Sequence, residues 1–205
     1  EMNNNPNFSL ATDAIRLPYT KEVATYCTPF SCKDKDLDEF FARDALLYGT
    51  ELLGKTYAWV SSENTRQILG IITLANDSVK SQHIANSAKN RLQRGVPNAK
   101  RGINFPAVLI GRLGVSSEFR GKGLNVGSQI LDFVKDWFRS EDNKTGCRFI
   151  VVDAYSNPRT LHFYEKNGFK PLYKTEKEER DFLQLKSDEP LETRSVSYTH
   201  LTLPT

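Results

Sequence analysis

The strongest constraint on what this chain can fold into is one stretch, Val108 to Gly127. An apolar run that reads as a strand ends near Val115, a glycine-rich turn follows, and an amphipathic helix begins. A strand–turn–helix junction aims unpaired backbone N–H groups and the positive end of a helix dipole at one spot, which favours a phosphate or pyrophosphate. Gly121 and Gly123 let the backbone approach an anion with no Cβ between, and Arg120 and Lys122 add positive charge. The turn follows neither the Walker pattern nor GxGxxG, so nucleotide folds built on those loops are excluded here.

Around that junction the chain alternates elements. Ala14 to Leu17 reads as a short strand. A helix follows, with Asp36 as its cap, Glu39 completing a capping box, and Leu37, Phe41, Ala45, Tyr48 and Leu52 along one face. Thr56 to Val60 and Ile68 to Leu74 read as strands, as does Ala107 to Val115. Leu124 to Arg139 has helical spacing, with Ile130, Phe133, Val134 and Trp137 on one side. Phe149 to Ala154 reads as a buried strand, and Asn157, Pro158 and Gly168 mark the cap, first turn and stop of another helix. Phe182 to Leu185 is expected to form the last strand. The order predicts an α/β domain over residues 14–186 with a mixed sheet, after an extension of residues 1–13.

Residues 187–205 are read as a tail. Val196 to Thr205 carries no Asp, Glu, Lys or Arg and resembles the translation of a transposase-type sequencing adapter. Glu1 also precedes the only methionine, Met2, so the reading frame is taken as open at that end. The tail from about Ser195 is therefore set outside the fold, with a genuine polar tail as the alternative.

Composition narrows the class. Hydrophobic residues make up 39% of 205, which fits a globular chain rather than a disordered one, and no apolar run reaches the roughly 18 residues of a membrane span. Cys27, Cys32 and Cys147 form no CxxC pair, which argues against a disulfide framework, a zinc site or a thiol nucleophile and fits a reducing cytoplasm. Net charge is +3, but it is segregated. From Ser78 to Ser117 there is no Asp or Glu, while Lys80, Lys89, Arg91, Arg94, Lys100, Arg101 and Arg112 all fall there. The remaining 21 basic and 25 acidic residues leave the rest of the chain at −4. Such segregation suits a surface for a polyanion, and Lys89, Arg91, Arg94, Lys100 and Arg101 are its candidate phosphate contacts. A solvated basic loop is the alternative.

Two motifs together resemble the GNAT family of acetyl-coenzyme A-dependent N-acetyltransferases. The family's pyrophosphate loop (Arg or Gln, two residues, Gly, one residue, Gly or Ala) is met by Arg120 to Asn125, with Asn125 in place of the small residue. Its later signature, FYxxxGF, is met by Phe163, Tyr164, Gly168 and Phe169. Phe30 to Leu37, Arg91 to Pro97 and Leu109 to Val115 are further similar to the toxin-type branch. Its members acetylate the α-amine of aminoacyl-tRNA and often pair with a ribbon-helix-helix antitoxin.

The resemblance implies the GNAT fold, with a mostly antiparallel central sheet flanked by helices. It also implies acetyl-CoA as co-substrate and direct attack of an amine on the thioester; no metal is expected, since no metal-ligand spacing is visible in the sequence. Leu113, Gly114 and Val115 would bond the acetyl and pantetheine groups. The amides of Arg120, Gly121, Lys122, Gly123, Leu124 and Asn125 would hold the pyrophosphate, and Asn157 would contact the pantetheine arm. Tyr164 would be the general acid, a phenol protonated at neutral pH. Neighbouring His162 is read as a residue at the surface or just behind the site, and His83 falls in the basic segment. No general base can be assigned, with Asp153 and Glu118 both open. An α-amine, with a reference pKa near 7.7–8.0 against about 10.4 for lysine, would need less help from a base. The acceptor stays open between an aminoacyl-tRNA and a small-molecule or protein amine. A non-catalytic coenzyme A- or RNA-binding module is a third reading, and a homodimer is a further expected association.

Overall fold

The computed structural model describes residues 8–83 and 104–199. In chain order these form α1 (Leu10–Asp13), β1 (Ala14–Pro18), α2 (Lys21–Tyr26), α3 (Lys35–Glu39), a π turn (Phe40–Asp44), α4 (Ala45–Thr50), β2 (Lys55–Ser61) and β3 (Ile68–Lys80). There follow β4 (Asn104–Val115), α5 (Val126–Arg139), β5 (Phe149–Tyr155), α6 (Pro158–Lys166), β6 (Lys170–Pro171), α7 (Glu176–Phe182) and β7 (Thr193–Thr199). Seven strands share one sheet in the order β1-β2-β3-β4-β5-β7-β6. The pairs β1–β2, β2–β3, β5–β7 and β6–β7 are antiparallel. This is the α/β class that the element order predicts, with the mostly antiparallel sheet that the resemblance implies.

Two compact units divide the chain. Of the described residues, the first comprises 8–75 and 110–136. Its core gathers Phe40, Phe41, Ala45, Ala58, Val60, Ile68 and Ile71, with Leu17, Tyr19, Val23, Phe30 and Leu37 packed on it. The expected helix from Leu37 to Leu52 is interrupted here. Asp34, not Asp36, caps α3 by accepting from the Leu37 amide at 3.1 Å. Asp36 instead lies 3.6 Å from Arg112 Nε. One residue more than an α-helix can hold is absorbed in the π turn, where the Ala45 amide reaches the Phe40 carbonyl. Tyr19 Oη donates to the Phe41 carbonyl in that turn at 3.2 Å. Both Phe40 and Phe41 are buried in the core from this turn. Residues 8–13 also belong to this unit, because Leu10 is buried and Ser62 donates to the Asp13 carbonyl through its amide and hydroxyl.

Of the described residues, the second unit comprises 76–83, 104–109 and 137–199. Val79, Phe105, Ala107, Phe149 and Val151 form its cluster, with Leu109 and Leu172 against it. The last strand is not Phe182 to Leu185. Thr175 caps α7 through the Glu178 amide, the helix-forming run Glu176 to Arg180 carries it forward, and Phe182 ends it. The closing strand is β7, from the segment that the sequence reading set aside. Thr193, Val196, Tyr198 and Thr199 suit a strand, and β7 pairs with all seven residues of β5. An ion pair joins α7 to β7. Glu179, 1% exposed, accepts from Arg194 Nε at 2.7 Å and from the Ser195 amide.

Removing one partner of a buried pair strands the other charge. Glu179→Ala should therefore cost about 3 kcal/mol, the low end of that effect because Arg194 keeps some solvent contact. Urea unfolding checks this, and a loss below about 1 kcal/mol would show that the pair adds little.

Candidate active site

Beyond Val115 the backbone turns sharply. The Ser116 amide donates to the Leu69 carbonyl at 2.9 Å, and the Ser116 carbonyl accepts from Phe119 and Arg120, both at 3.0 Å. Phe119 is buried and pins the turn. The Arg120 amide is thus engaged, which corrects its assignment as an anion donor; only its exposed side chain is left for that role.

Next come three left-handed residues at alternate positions, Gly121 (φ +81°), Gly123 (φ +76°) and Asn125 (φ +51°). Alternation of hand turns successive N–H groups to one side and makes an anion-binding concavity. Asparagine tolerates this conformation better than most residues, which explains how Asn125 replaces the family's small residue. The amides of Gly121, Lys122, Gly123, Leu124 and Asn125 have no acceptor among the described residues. A Cβ built on Gly121 or Gly123 meets nothing within 4 Å. Five free amides, open space, two exposed cations and the start of the 14-residue α5 fit a pyrophosphate. The helix starts at Val126, two residues later than predicted, which leaves Leu124 and Asn125 in the turn.

At the end of β4, Leu113 and Val115 are half-buried and Gly114 is buried. A Cβ on Gly114 would lie 3.0 Å from ring atoms of Phe30 and Phe41, so packing requires this glycine, whatever its backbone binds. Phe30 stands edge-on to Phe41 at 5.6 Å. The π turn thus buttresses the strand end. Gln129 is a residue that sequence reasoning missed. Its partners, Phe8, Leu10 and Leu124, include two more than a hundred residues away, and nothing in the local pattern signals them.

In the second unit, Asn157 caps α6 as predicted, accepting from the Thr160 amide at 2.9 Å through Oδ1. That leaves its Nδ2 for any other contact. Tyr164, 7% exposed, stands edge-on to Phe163 (5.1 Å) and Phe169 (5.4 Å). Its hydroxyl has no hydrogen-bond partner among the described residues, and burial pushes the phenol well above its ordinary value of 10. Gly168 (φ +84°) ends the helix, and the amide of Phe169 returns to the Tyr164 carbonyl at 3.0 Å. The glycine and second phenylalanine of FYxxxGF therefore build the socket around its tyrosine.

His162 is exposed near Glu165, as expected. Glu118 and Asp153 are both exposed and already accept hydrogen bonds, from Gln67 Nε2 and Ser195 Oγ respectively. Lys89, Arg91, Arg94, Lys100 and Arg101 lie outside the described residues. His83 ends a short 3-10 turn, Ser81–His83. No group of three His, Cys, Asp or Glu is placed to hold a metal among the described residues, and no helix there is long and apolar enough to cross a membrane.

All three cysteines are free. Burial, helped by the Asp38 hydrogen bond, pushes the Cys32 thiol up to about 12. Burial also raises Cys27, against the opposing pull of Arg66, and Cys147, against two backbone hydrogen bonds. Thiolate is the nucleophilic form. At pH 8 the native protein should leave all three thiols nearly unlabelled by iodoacetamide, and denaturant should expose all three. Rapid native labelling of Cys32 would contradict its assigned burial.

The acetyltransferase (GNAT) domain family matches residues 54–171, more than half of the chain. Among solved structures, the chain resembles AtaT complexed with acetyl-methionyl-tRNAfMet, at 18% identity and TM-score 0.65, over 91% of this chain and 95% of that one. It resembles a Tyr-to-Phe mutant of KacT at 18% identity and TM-score 0.67, over 92% and 95%. A third likeness is to AtaTR bound with AcCoA, at 18% identity and TM-score 0.61, over 91% and 94%. At such identities the likeness is one of fold, and the family match carries the assignment: this chain belongs to the GNAT acetyltransferases.

Proposed function

We propose that this acetyltransferase works in the cytoplasm, moving an acetyl group from acetyl-CoA to the α-amine of an aminoacyl-tRNA. The acceptor assignment is carried by the acid-free interval from Ser78 to Ser117. AtaT, similar in fold over nearly the whole chain, was solved with an acetylated aminoacyl-tRNA, which supports the same reading. A ribbon-helix-helix antitoxin and a second copy of the chain are the protein partners that this reading implies. An AtaT mutant was itself solved with the C-terminus of its antitoxin.

When bound, acetyl-CoA supplies an acetyl group activated as a thioester. The amides of Gly121 to Asn125, with Arg120 and Lys122 side chains, hold its pyrophosphate. Backbone groups of Leu113 to Val115 would orient the thioester, and a preorganised N–H there would stabilise the charge that develops on its carbonyl oxygen. Orientation of the two reactants is the largest contribution asked of the protein, up to roughly 7–11 kcal/mol in favourable intramolecular cases. As the amine nitrogen bonds to the acyl carbon, the C–S bond breaks. Tyr164 gives its proton to the departing sulfur and regains one from the solvent that takes the nitrogen's proton. A buried phenolate is costly, so Tyr164 rests protonated across the physiological range. Protonation of the acceptor amine, near pH 7.7–8.0, then sets the acid limb of the rate profile.

Tyr164→Phe removes only the hydroxyl from an aromatic socket. It should bind coenzyme A as the parent does while kcat falls by roughly 10²- to 10⁴-fold. Loss within a few-fold would make Tyr164 a packing residue.

Labelled acetyl-CoA offered to charged tRNA, protein and polyamine pools tests the acceptor directly, and label is expected in the tRNA. Neutralising Arg91 and Arg94 together should weaken tRNA binding and flatten its log–log salt dependence by about one to two units, at about 0.7–0.9 per phosphate. Label in another pool, or an unchanged slope, would favour a small-molecule or protein amine and leave the insert a solvated loop.

A further inference from the structure

Gln129 stands in the first turn of α5, and both ends of its carboxamide are engaged. Nε2 donates to the Leu124 carbonyl at 2.9 Å and to the Phe8 carbonyl at 3.3 Å, and Oε1 accepts from the Leu10 amide at 2.8 Å. Leu124 belongs to the run of free amides, and Phe8 and Leu10 flank the cap of α1. One side chain thus ties the glycine turn to a segment more than a hundred residues earlier.

That segment is itself held. The Ser9 hydroxyl accepts from the Ala11 amide, and the Ser9 amide donates to Asp13 Oδ2 at 2.8 Å. The Asp13 carbonyl accepts from the Ser62 amide at 3.0 Å, and Leu10 is buried. On the other side, the Asn125 carbonyl accepts from the Gln129 amide at 3.0 Å, and Asn125 Nδ2 reaches the Gly123 carbonyl at 3.3 Å. Two successive peptide groups of the turn are therefore fixed through residue 129. A peptide plane held by its carbonyl has its N–H direction fixed as well, because the unit is planar. Fixing the Leu124 carbonyl orients the amide of Asn125, in the same peptide unit.

We infer that Gln129 is a positioning residue for coenzyme binding, and that residues 8–13 act through it as a brace on the anion-binding turn. The inference rests on the assignment of that turn to the pyrophosphate. Residues preorganised before binding lose less freedom when the ligand arrives. Without the brace, the turn must find its binding shape at the ligand's expense.

Gln129→Met keeps length and helix propensity and removes the carboxamide. Titration calorimetry with coenzyme A should show its Kd raised about three- to tenfold, the range of one or two net hydrogen bonds. The ligand-free melting temperature should move far less than that loss implies, and KM for acetyl-CoA should rise by a larger factor than kcat falls. Deleting residues 1–9 should weaken binding similarly, and the combined variant should be no weaker than either alone, because both break one connection. Gly123→Val serves as the reference, since it fills the site itself. If Gly123→Val loses binding while Gln129→Met binds as the parent does, the brace is refuted and the site stands. A lowered melting temperature with unchanged Kd refutes it equally, leaving Gln129 a stability residue. Should Gly123→Val bind like the parent, the turn is not the site and the brace falls with it.

Discussion

Backbone amides need acceptors, and from Gly121 to Asn125 five in succession find none among the described residues. A chain can keep such a segment only at the surface, where water or an anion takes the place of a carbonyl. The surrounding structure holds that segment still. Ser116 closes the preceding turn on Leu69, Phe119 anchors it, and the Asn125 carbonyl starts α5. Phe30 and Phe41 press on Gly114 so closely that no larger residue fits without displacing a ring. Five groups are left without protein partners here while the groups around them are satisfied.

Tyr164 follows a different physical rule. Its position is set by shape rather than by hydrogen bonds, with Phe163 and Phe169 both edge-on to the ring. The hydroxyl is therefore separable from the fold, since the ring alone fills the socket. Burial is what raises its pKa. A group so placed stays a donor over a wide range of pH.

Much of this was legible in the sequence because the signals are local. Asn157, Pro158 and Gly168 mark helix ends through their own backbone preferences, and each does so in the structure. Gly121 and Gly123 announce a turn for the same reason. Where partners are distant, the reading failed. Thr193 to Thr199 look like an unremarkable polar tail until β5 offers seven residues to pair with. Glu179 carries no local signal of its role, because its partners, Arg194 and the Ser195 amide, lie more than a dozen residues away. The Arg120 amide looked as free as its neighbours, and only the path of the backbone brings it to the Ser116 carbonyl.

The π turn at Phe40–Asp44 has a consequence for how this segment tolerates change in length. One residue fewer there would restore ordinary helical hydrogen bonding and give a locally more regular helix. The same deletion would rotate everything upstream by about 100° relative to α4. Asp36 would swing away from Arg112, and Phe40 would give up its place beneath the Arg112 guanidinium, now 5.2 Å from the ring. The irregular turn acts as a phase setter: a less favourable backbone geometry keeps two stretches of helix in step with the strand they support.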